Sequence, residues 1–440
     1  MKLNDAIQAC AATLLSIGLF AATPARAGAL SDLTVLVVGE ERASEYAEFL
    51  RPEVAKVETS RRNGFDPASA AAFDVVLLDW QQTGNADDFP PRKSPLGRRE
   101  DWNKPTVLVG SAGLNLAVVW QMRGGAGCTC LDPLAYGLRD HEIFEKPFKI
   151  ERKMVRIPTP KDFRAEIQDA EIEVLPLAAD SGRGWRPGWC TYSYGFAANP
   201  DIEYFCGGVN AKTPTAAGLW RQGNFMHFGF EQSPREMNET GRRILLNAIA
   251  YISRFTQDRP IAITPSPFAG KAPRDRRTLE RWLRNPEYSM NLVESTLSPD
   301  LWTKLSPMGR EKMADWAAEN GRFLRPNAGT AQLEPDEDLA AFGLPFDDPK
   351  FFDVVIEALK NGEKDAEARR VLARYVPIGP KNGSAEDWRA WWQENKPYAF
   401  ASDYADYRWY VDPLARKRGV PAAELRGPQR ADTKENLAGK

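Results

Sequence analysis

Three short apolar runs constrain the fold of this chain more than any other feature. They cover residues 33–39 (LTVLVVG), 73–80 (FDVVLLDW) and 105–110 (PTVLVG). Continuous runs of leucine and β-branched residues are typical of parallel strands that are buried on both faces. Residues 41–53 and 114–122 have the apolar spacing of helices. The alternation predicts an α/β domain with a mostly parallel sheet and helices on both faces.

The ends of these runs indicate where a ligand would bind. In open α/β sheets, binding sites lie at the carboxyl ends of the strands. Here the runs end at Gly39–Glu40, Asp79–Trp80 and Gly110–Ser111. We therefore expect these residues to line a candidate site.

A different pattern follows the parallel part. Short β-like runs predict strands that either extend the sheet or form a small antiparallel addition, at 171–178, 189–197, 202–206 and 216–230. The next segment, Ser233-Pro234-Arg235-Glu236, has the composition of a capping box with proline at the first helical position. It predicts a helix that runs to about Phe255.

The N-terminal residues have the pattern of a cleavable export signal. Lys2 gives a positive start, residues 11–22 are apolar, and Ala25-Arg26-Ala27 supplies small residues for cleavage. We predict a signal peptide over residues 1–27 and a periplasmic or secreted location. No later run reaches about 18 apolar residues, so we expect no transmembrane segment.

Composition divides the rest of the chain. We predict an α/β domain over 30–256, a proline-rich linker with helices over 257–335, and a smaller helical, tryptophan-rich domain over 336–426. A polar tail over 427–440 is expected to be disordered. The tryptophan-rich segment is interpreted either as the core of the helical domain or as a surface that holds a protein partner.

Charge and cysteine usage narrow the partners. The formal net charge is only −2, which argues against nucleic acid as a partner. Four cysteines follow the predicted signal peptide: Cys128, Cys130, Cys190 and Cys206. An exported chain permits disulfides, and a Cys128–Cys130 bridge would be strained, so these two are expected to pair with Cys190 and Cys206. Four free buried thiols are the alternative. We predict no cofactor and no metal site.

Three segments resemble ThuA-like proteins of the class I glutamine amidotransferase-like superfamily. They are the FDVVLLDW strand, RDHEIF at Arg139–Phe144 and GNFMHFGFEQSP at Gly223–Pro234. The resemblance covers about residues 30–256 and implies a flavodoxin-like sheet and a link to sugar metabolism. The remaining C-terminal part resembles extensions found on some exported bacterial members.

The resemblance also implies a lost activity. Glutamine amidotransferases have a catalytic cysteine on a sharp strand-to-helix elbow, and Ser111 occupies that place here. Val109 is bulkier than such an elbow tolerates well. The His-x-Glu pair expected later in the domain is absent from the sequence. We therefore expect no glutaminase activity.

The sharpest catalytic hypothesis pairs Ser111 with His227 as nucleophile and base. Asp79 or Glu231 would orient the histidine. The alternatives are that Ser111 caps the following helix and that His227 packs among aromatic residues.

A ligand would be held by polar and aromatic residues near these two. We select Asp79, Trp80, Arg221, Asn224 and Glu231 as candidate ligand-binding residues. They suit a carbohydrate-like small molecule, since sugar rings stack on aromatic faces. The competing hypothesis is a non-catalytic envelope protein that mediates protein–protein interaction.

Overall fold

The computed structural model describes most of the chain after the predicted signal peptide. The described residues are 29–82, 89–124, 127–164, 166–178, 187–193, 196, 199, 201–256, 258–264, 276–402, 407–412, 415, 416 and 419. The predicted signal peptide and the predicted tail over 427–440 lie outside them.

One large sheet organises the first part of the described chain. Its strands are β1 (Thr34–Gly39), β2 (Lys56–Arg61), β3 (Val75–Asp79), β4 (Thr106–Val109), β5 (Cys128–Tyr136), β6 (Val155–Pro158), β7 (Glu171–Pro176), β8 (Gly188–Cys190), β9 (Ile202–Asn210), β10 (Ala217–Gln222) and β11 (Phe225–Phe228). Their order is β2-β1-β3-β4-β11-β10-β9-β5-β7-β6, with β8 paired to β5. The first five strands in this order are parallel, and the remaining pairs are antiparallel.

Helices cover both faces of the parallel strands. Helices α1 (Ala43–Leu50) and α3 (Glu239–Ile252) share one hydrophobic cluster with Val35 and Val37 of β1. Helix α2 (Ala112–Trp120) belongs to the cluster on the opposite face. All residues of β3 and β4 are buried, as strands between two helical layers must be. The predicted α/β class is confirmed.

The structure departs from the expected pattern in three places. The run at 216–230 is a hairpin of β10 and β11, with its turn at Gly223–Asn224. Strand β5 was not predicted, because its Cys-Thr-Cys-Leu-Asp-Pro sequence lacks a strand pattern. Helix α3 begins after the N-cap Asn238 and not at Ser233, because Met237 forms an antiparallel bridge to Ala178.

The C-terminal part is mainly helical. Its helices are α4 (Arg276–Arg284), α5 (Met290–Thr296), α6 (Pro299–Leu305), α7 (Arg310–Asn320), α8 (Glu337–Ala340), α9 (Phe351–Asn361), α10 (Asp365–Tyr375) and α11 (Ala385–Asn395). Two small hairpins join them, formed by β12 (Leu324–Pro326) with β13 (Leu333–Pro335) and by β14 (Ala399–Ser402) with β15 (Arg408–Val411). None of the helices in the described part of the chain combines the length and apolar character needed to cross a bilayer.

The tryptophan-rich segment forms a core. Trp388, Trp392 and Trp409 are buried in one cluster that extends back to Leu279. Trp392 stacks on Phe352 with ring centroids 3.7 Å apart. Residues from both sides of position 335 therefore contribute to the same hydrophobic core, which agrees with the predicted smaller helical domain.

Candidate functional site

The strand order places a crevice between β1 and β3. The connection after β1 packs Tyr46 on one face of the sheet, whereas the connection after β3 packs Leu96 and Trp102 on the other face. In doubly wound sheets, such a switch point opens a crevice at the carboxyl ends of the two strands. The residues that reach it are Arg42 from the first connection and Asp79 from the end of β3.

Arg42 is the centre of a buried ion cluster. Its guanidinium forms a salt bridge to the Asp79 carboxylate, with Nε 3.1 Å from Oδ2. It also donates to the Glu231 carboxyl at 2.9 Å and to the Glu231 carbonyl at 2.7 Å. Arg42, Asp79 and Glu231 are 7%, 3% and 4% exposed. A buried ion group needs several charge-assisted hydrogen bonds of this kind to offset its desolvation.

Ser111 completes the cluster from the end of β4. Its backbone N–H donates to Glu231 Oε2 at 2.8 Å, and its hydroxyl donates to the same oxygen at 3.1 Å. The hydroxyl accepts from the backbone N–H of Gln82 at 2.8 Å. Ser111 therefore links the loops that follow β3, β4 and β11.

The electrostatics favour a protonatable carboxyl in this cluster. Burial raises the pKa of Glu231, and the negative charge of Asp79 acts in the same direction. The Arg42 charge and the Ser111 hydrogen bonds oppose this rise without cancelling it. Glu231 is thus the carboxyl in the cluster that can gain or lose a proton nearest to neutral pH.

Gly110 makes room for Glu231. It has a left-handed backbone, with φ of +53°. A Cβ at this position would lie 2.1 Å from Glu231 Oε2. Ser111 itself has ordinary helical angles, so the chain has no strained elbow at the serine.

The proposed Ser111–His227 pair is not formed. The Ser111 hydroxyl hydrogen is directed to Glu231, and among the described residues neither ring nitrogen of His227 has a hydrogen-bond partner. The capping alternative for Ser111 is also wrong, since its side chain forms no hydrogen bond to the helix. Of the two orienting groups considered, Glu231 contacts Ser111 directly.

His227 is packed among aromatic rings. It is fully buried and stacks on Trp220, with centroids 3.8 Å apart and parallel planes. Trp189 lies 5.3 Å away on the same cluster. Burial lowers the pKa of His227 well below 6.5, so the ring is neutral at physiological pH.

Replacing His227 by leucine is expected to remove part of the acid sensitivity of the fold. A depressed histidine pKa contributes stability that is present above the unfolded value near 6.5 and is lost as pH falls. Between pH 7 and 5 the wild type should lose more than about 1 kcal/mol relative to His227→Leu. Urea unfolding at both pH values measures this difference. Equal losses in the two proteins would contradict the buried neutral histidine.

Arg221 and Asn224 lie at the other end of the sheet. Because β10 and β11 form a hairpin, its turn meets the amino ends of the parallel strands, where Phe225 pairs with Thr106. Arg221 forms ion pairs with Glu203 and Asp258, and Asn224 donates to the Lys104 carbonyl at 2.8 Å. The prediction that these two residues join the carboxyl-edge site is wrong.

Trp80 lies at the predicted edge but offers no open face. It is 8% exposed, and the Arg62 guanidinium lies 5.5 Å from the centre of its ring. Its carbonyl accepts from the Asn115 side chain at 3.0 Å. Trp80 therefore contributes to the wall of the site and not to a free stacking surface.

The predicted disulfides are absent. All four described cysteines are free thiols. Cys128, Cys130 and Cys190 lie close together, whereas Cys206 is buried separately in the main core. The His, Cys, Asp and Glu side chains of the described ranges form no group suited to a metal ion.

Arg42 is the site residue that the sequence pattern did not reveal. An arginine at the start of a helix is normally assigned to the surface. The available signal was indirect: two carboxylates at predicted strand ends, Asp79 and Glu231, require a buried cation if both are to be buried. Arg42 follows β1 by three residues and is placed to supply it.

Comparisons with known proteins give limited support. No family model matches the chain, and no curated protein matches it. Among solved structures, the chain is similar to a GMP synthase-like protein from Thermoplasma acidophilum, with 12% identity and a TM-score of 0.28. The similarity covers 50% of this chain and 94% of that one. A likeness this weak transfers neither ThuA-like membership nor a reaction, and the fold class rests on the sheet itself.

Proposed function

We propose that the protein binds a neutral, carbohydrate-like small molecule at the carboxyl edge of the parallel strands, above the Arg42 cluster. The observation that supports this is the convergence of Arg42, Asp79, Ser111 and Glu231 at the β1–β3 crevice. These residues come from four separate connections. Buried polar groups gathered at a switch point are the usual starting material of a ligand site.

The charge of the cluster favours a neutral ligand over an ion. Arg42 and Asp79 balance each other, and the raised pKa of Glu231 makes its neutral form accessible. A charged ligand would add an unbalanced charge to this buried group, which is costly. Hydroxyl groups can instead donate to carboxylate oxygens and accept from amide N–H groups.

Gln81 and Gln82 give the ligand a way in. Gln81 is half-buried, with its amide 3.5 Å from Glu231 Oε1, and Gln82 is exposed. Side-chain amides bind hydroxyls as both donors and acceptors. We propose Glu231, in place of His227, as the group that exchanges a proton with the ligand, because its carboxyl lies at this polar edge.

A thermal-shift screen tests the proposal. The purified protein is compared with neutral sugars, polyols and sugar acids, and a neutral polyhydroxyl compound should raise the melting temperature. Glu231→Gln should abolish that rise. Glu41→Gln, an exposed carboxyl next to Arg42, should leave it unchanged. A screen without any response would favour the alternative, a non-catalytic protein that holds a protein partner.

Glu231→Gln also has an expected effect on stability against pH. A raised carboxyl pKa contributes stability that is fully present below the unfolded value near 4.5 and is lost as pH rises through the folded value. The stability advantage of the wild type over Glu231→Gln should therefore shrink as pH rises from about 4 to about 7. Chemical unfolding across this range measures it, and a constant difference would show that the carboxyl does not titrate as expected.

The proposed site of action is outside the cytoplasm, following the export signal expected at residues 1–27. Fractionation of cells that express the full chain tests this. Recovery of unprocessed protein in the cytoplasm would contradict it.

A further inference from the structure

Three sulfur atoms surround one buried ammonium group. Cys128 and Cys130 lie on β5, and Cys190 lies on the neighbouring strand β8, where it pairs with Cys128. The Cys128 and Cys130 sulfurs are 2.7 Å apart, and Cys130 is 3.8 Å from Cys190. A register shift between Thr129 and Leu131 accompanies this cluster. We name Cys128, Cys130 and Cys190 the sulfur cluster.

Lys212 is directed into the sulfur cluster. Its ammonium donates to Cys128, to Cys130 at 3.2 Å and to Cys190 at 3.7 Å. Lys212 is only 8% exposed, and no described carboxylate lies within ion-pair distance of it. A buried ammonium requires a negative counter-charge. In this environment a thiolate is the available one.

The hydrogen bonds indicate which sulfur is negative. The thiols of Cys128 and Cys190 lower the pKa of Cys130 by hydrogen bonding, and the Lys212 charge acts in the same direction. The same hydrogen bond raises the pKa of Cys128. Cys130 is therefore the thiolate and Cys128 its neighbouring thiol. Cys128 is exposed, so reagents in solution can reach the pair.

We propose that Cys128 and Cys130 form a redox-active dithiol that exchanges with small-molecule disulfides, with Lys212 stabilising the Cys130 thiolate. The thiolate attacks one sulfur of the disulfide, forms a mixed disulfide and releases the first small thiolate, which takes the proton of Cys128. The Cys128 sulfur then attacks Cys130 and releases the second small thiolate. Two protein sulfurs are oxidised, and one disulfide is reduced to two thiol groups.

The spacing of the pair suits exchange better than permanent cross-linking. A disulfide between residues separated by a single residue is strained, and strained disulfides are readily reduced. The buried position of Lys212 also argues against a metal ion, because its ammonium already lies among the three sulfurs. A cation there would meet a like charge.

Oxidation of the reduced protein with 2-hydroxyethyl disulfide tests the proposal. The expected product loses two thiols and has Cys128 and Cys130 joined within one tryptic peptide, detected by mass spectrometry as the loss of two hydrogens. Cys206→Ser, which removes a buried thiol outside the sulfur cluster, should give the same product. Inertness toward the reagent, or a link from Cys130 to Cys190, would overturn the proposal. Stoichiometric zinc retained by the reduced protein and lost in Cys128→Ser would also overturn it.

The role of Lys212 has its own measurement. In Lys212→Met the rate of Cys130 alkylation by iodoacetamide at pH 6 should fall at least about tenfold, which corresponds to a thiol pKa raised by about one unit. Lys212→Arg keeps the charge and should restore most of the rate. Circular dichroism confirms that each variant is folded. An unchanged rate in a folded Lys212→Met protein would remove the lysine from the proposal.

Discussion

Replacing Arg42 by methionine should destabilise the protein by about 3–5 kcal/mol, because it leaves two buried carboxyl groups without their cation. Arg42 contacts Asp79 through two nitrogens and Glu231 through both its side chain and its carbonyl. The substitution keeps much of the length of the side chain and removes the charge and the donors. Urea unfolding near neutral pH measures the loss.

Two comparisons separate the buried cluster from a general effect of losing an arginine. Arg61→Met removes an exposed guanidinium whose ion pair to Glu40 spans 3.3 Å, and it should cost less than about 1 kcal/mol. Adding Asp79→Asn and Glu231→Gln to Arg42→Met removes the unpaired charges and should recover part of the stability. A loss below about 1 kcal/mol for Arg42→Met alone would show that water compensates the carboxylates.

Replacing Trp189 by alanine should cost about 3–5 kcal/mol, as expected for a large aromatic side chain in a closed core. Trp189 is fully buried and contacts the rings of Trp220 and His227. Its own ring fills a slot whose walls include the glycines at 113, 124 and 127. Such a slot cannot collapse easily when the ring is removed, so a cavity remains.

The glycine walls allow a double-mutant test of the same contact. A Cβ at Gly113 would lie 2.5 Å from the Trp189 ring, so Gly113→Ala should be destabilising in the wild type. In the Trp189→Ala background the clash is absent, and the cost should largely disappear. Gly321→Ala, with open space around its Cβ, serves as the control. Additive effects at positions 113 and 189 would contradict the slot.

The parallel half of the sheet could be predicted from sequence because burial on both faces imposes its composition. The runs that form β1, β3 and β4 have no polar interior residue to confuse the pattern. Strand β5 escaped prediction, since its polar sequence includes Pro133. The central position of β5 depends on tertiary pairing with β9 and β7.

The candidate site was predictable only in part. Asp79, Ser111 and Glu231 follow strand ends, which is why the sequence indicates them, and they do meet there. Arg221 and Asn224 were misplaced because the hairpin has the composition of one continuous run, and the turn reverses the edge that it reaches. Their position depends on a two-residue turn that begins at Gly223, a detail that apolar periodicity does not encode.

The place of β11 in the sheet affects how the chain must be synthesised and handled. Strand β4 is hydrogen-bonded to β3 on one side and to β11 on the other, and β11 begins only at Phe225. Until that residue leaves the ribosome, β4 presents an unpaired, apolar edge of the kind that recruits other chains. Expression fragments that stop before Phe228 should therefore aggregate, whatever lies further along the polypeptide.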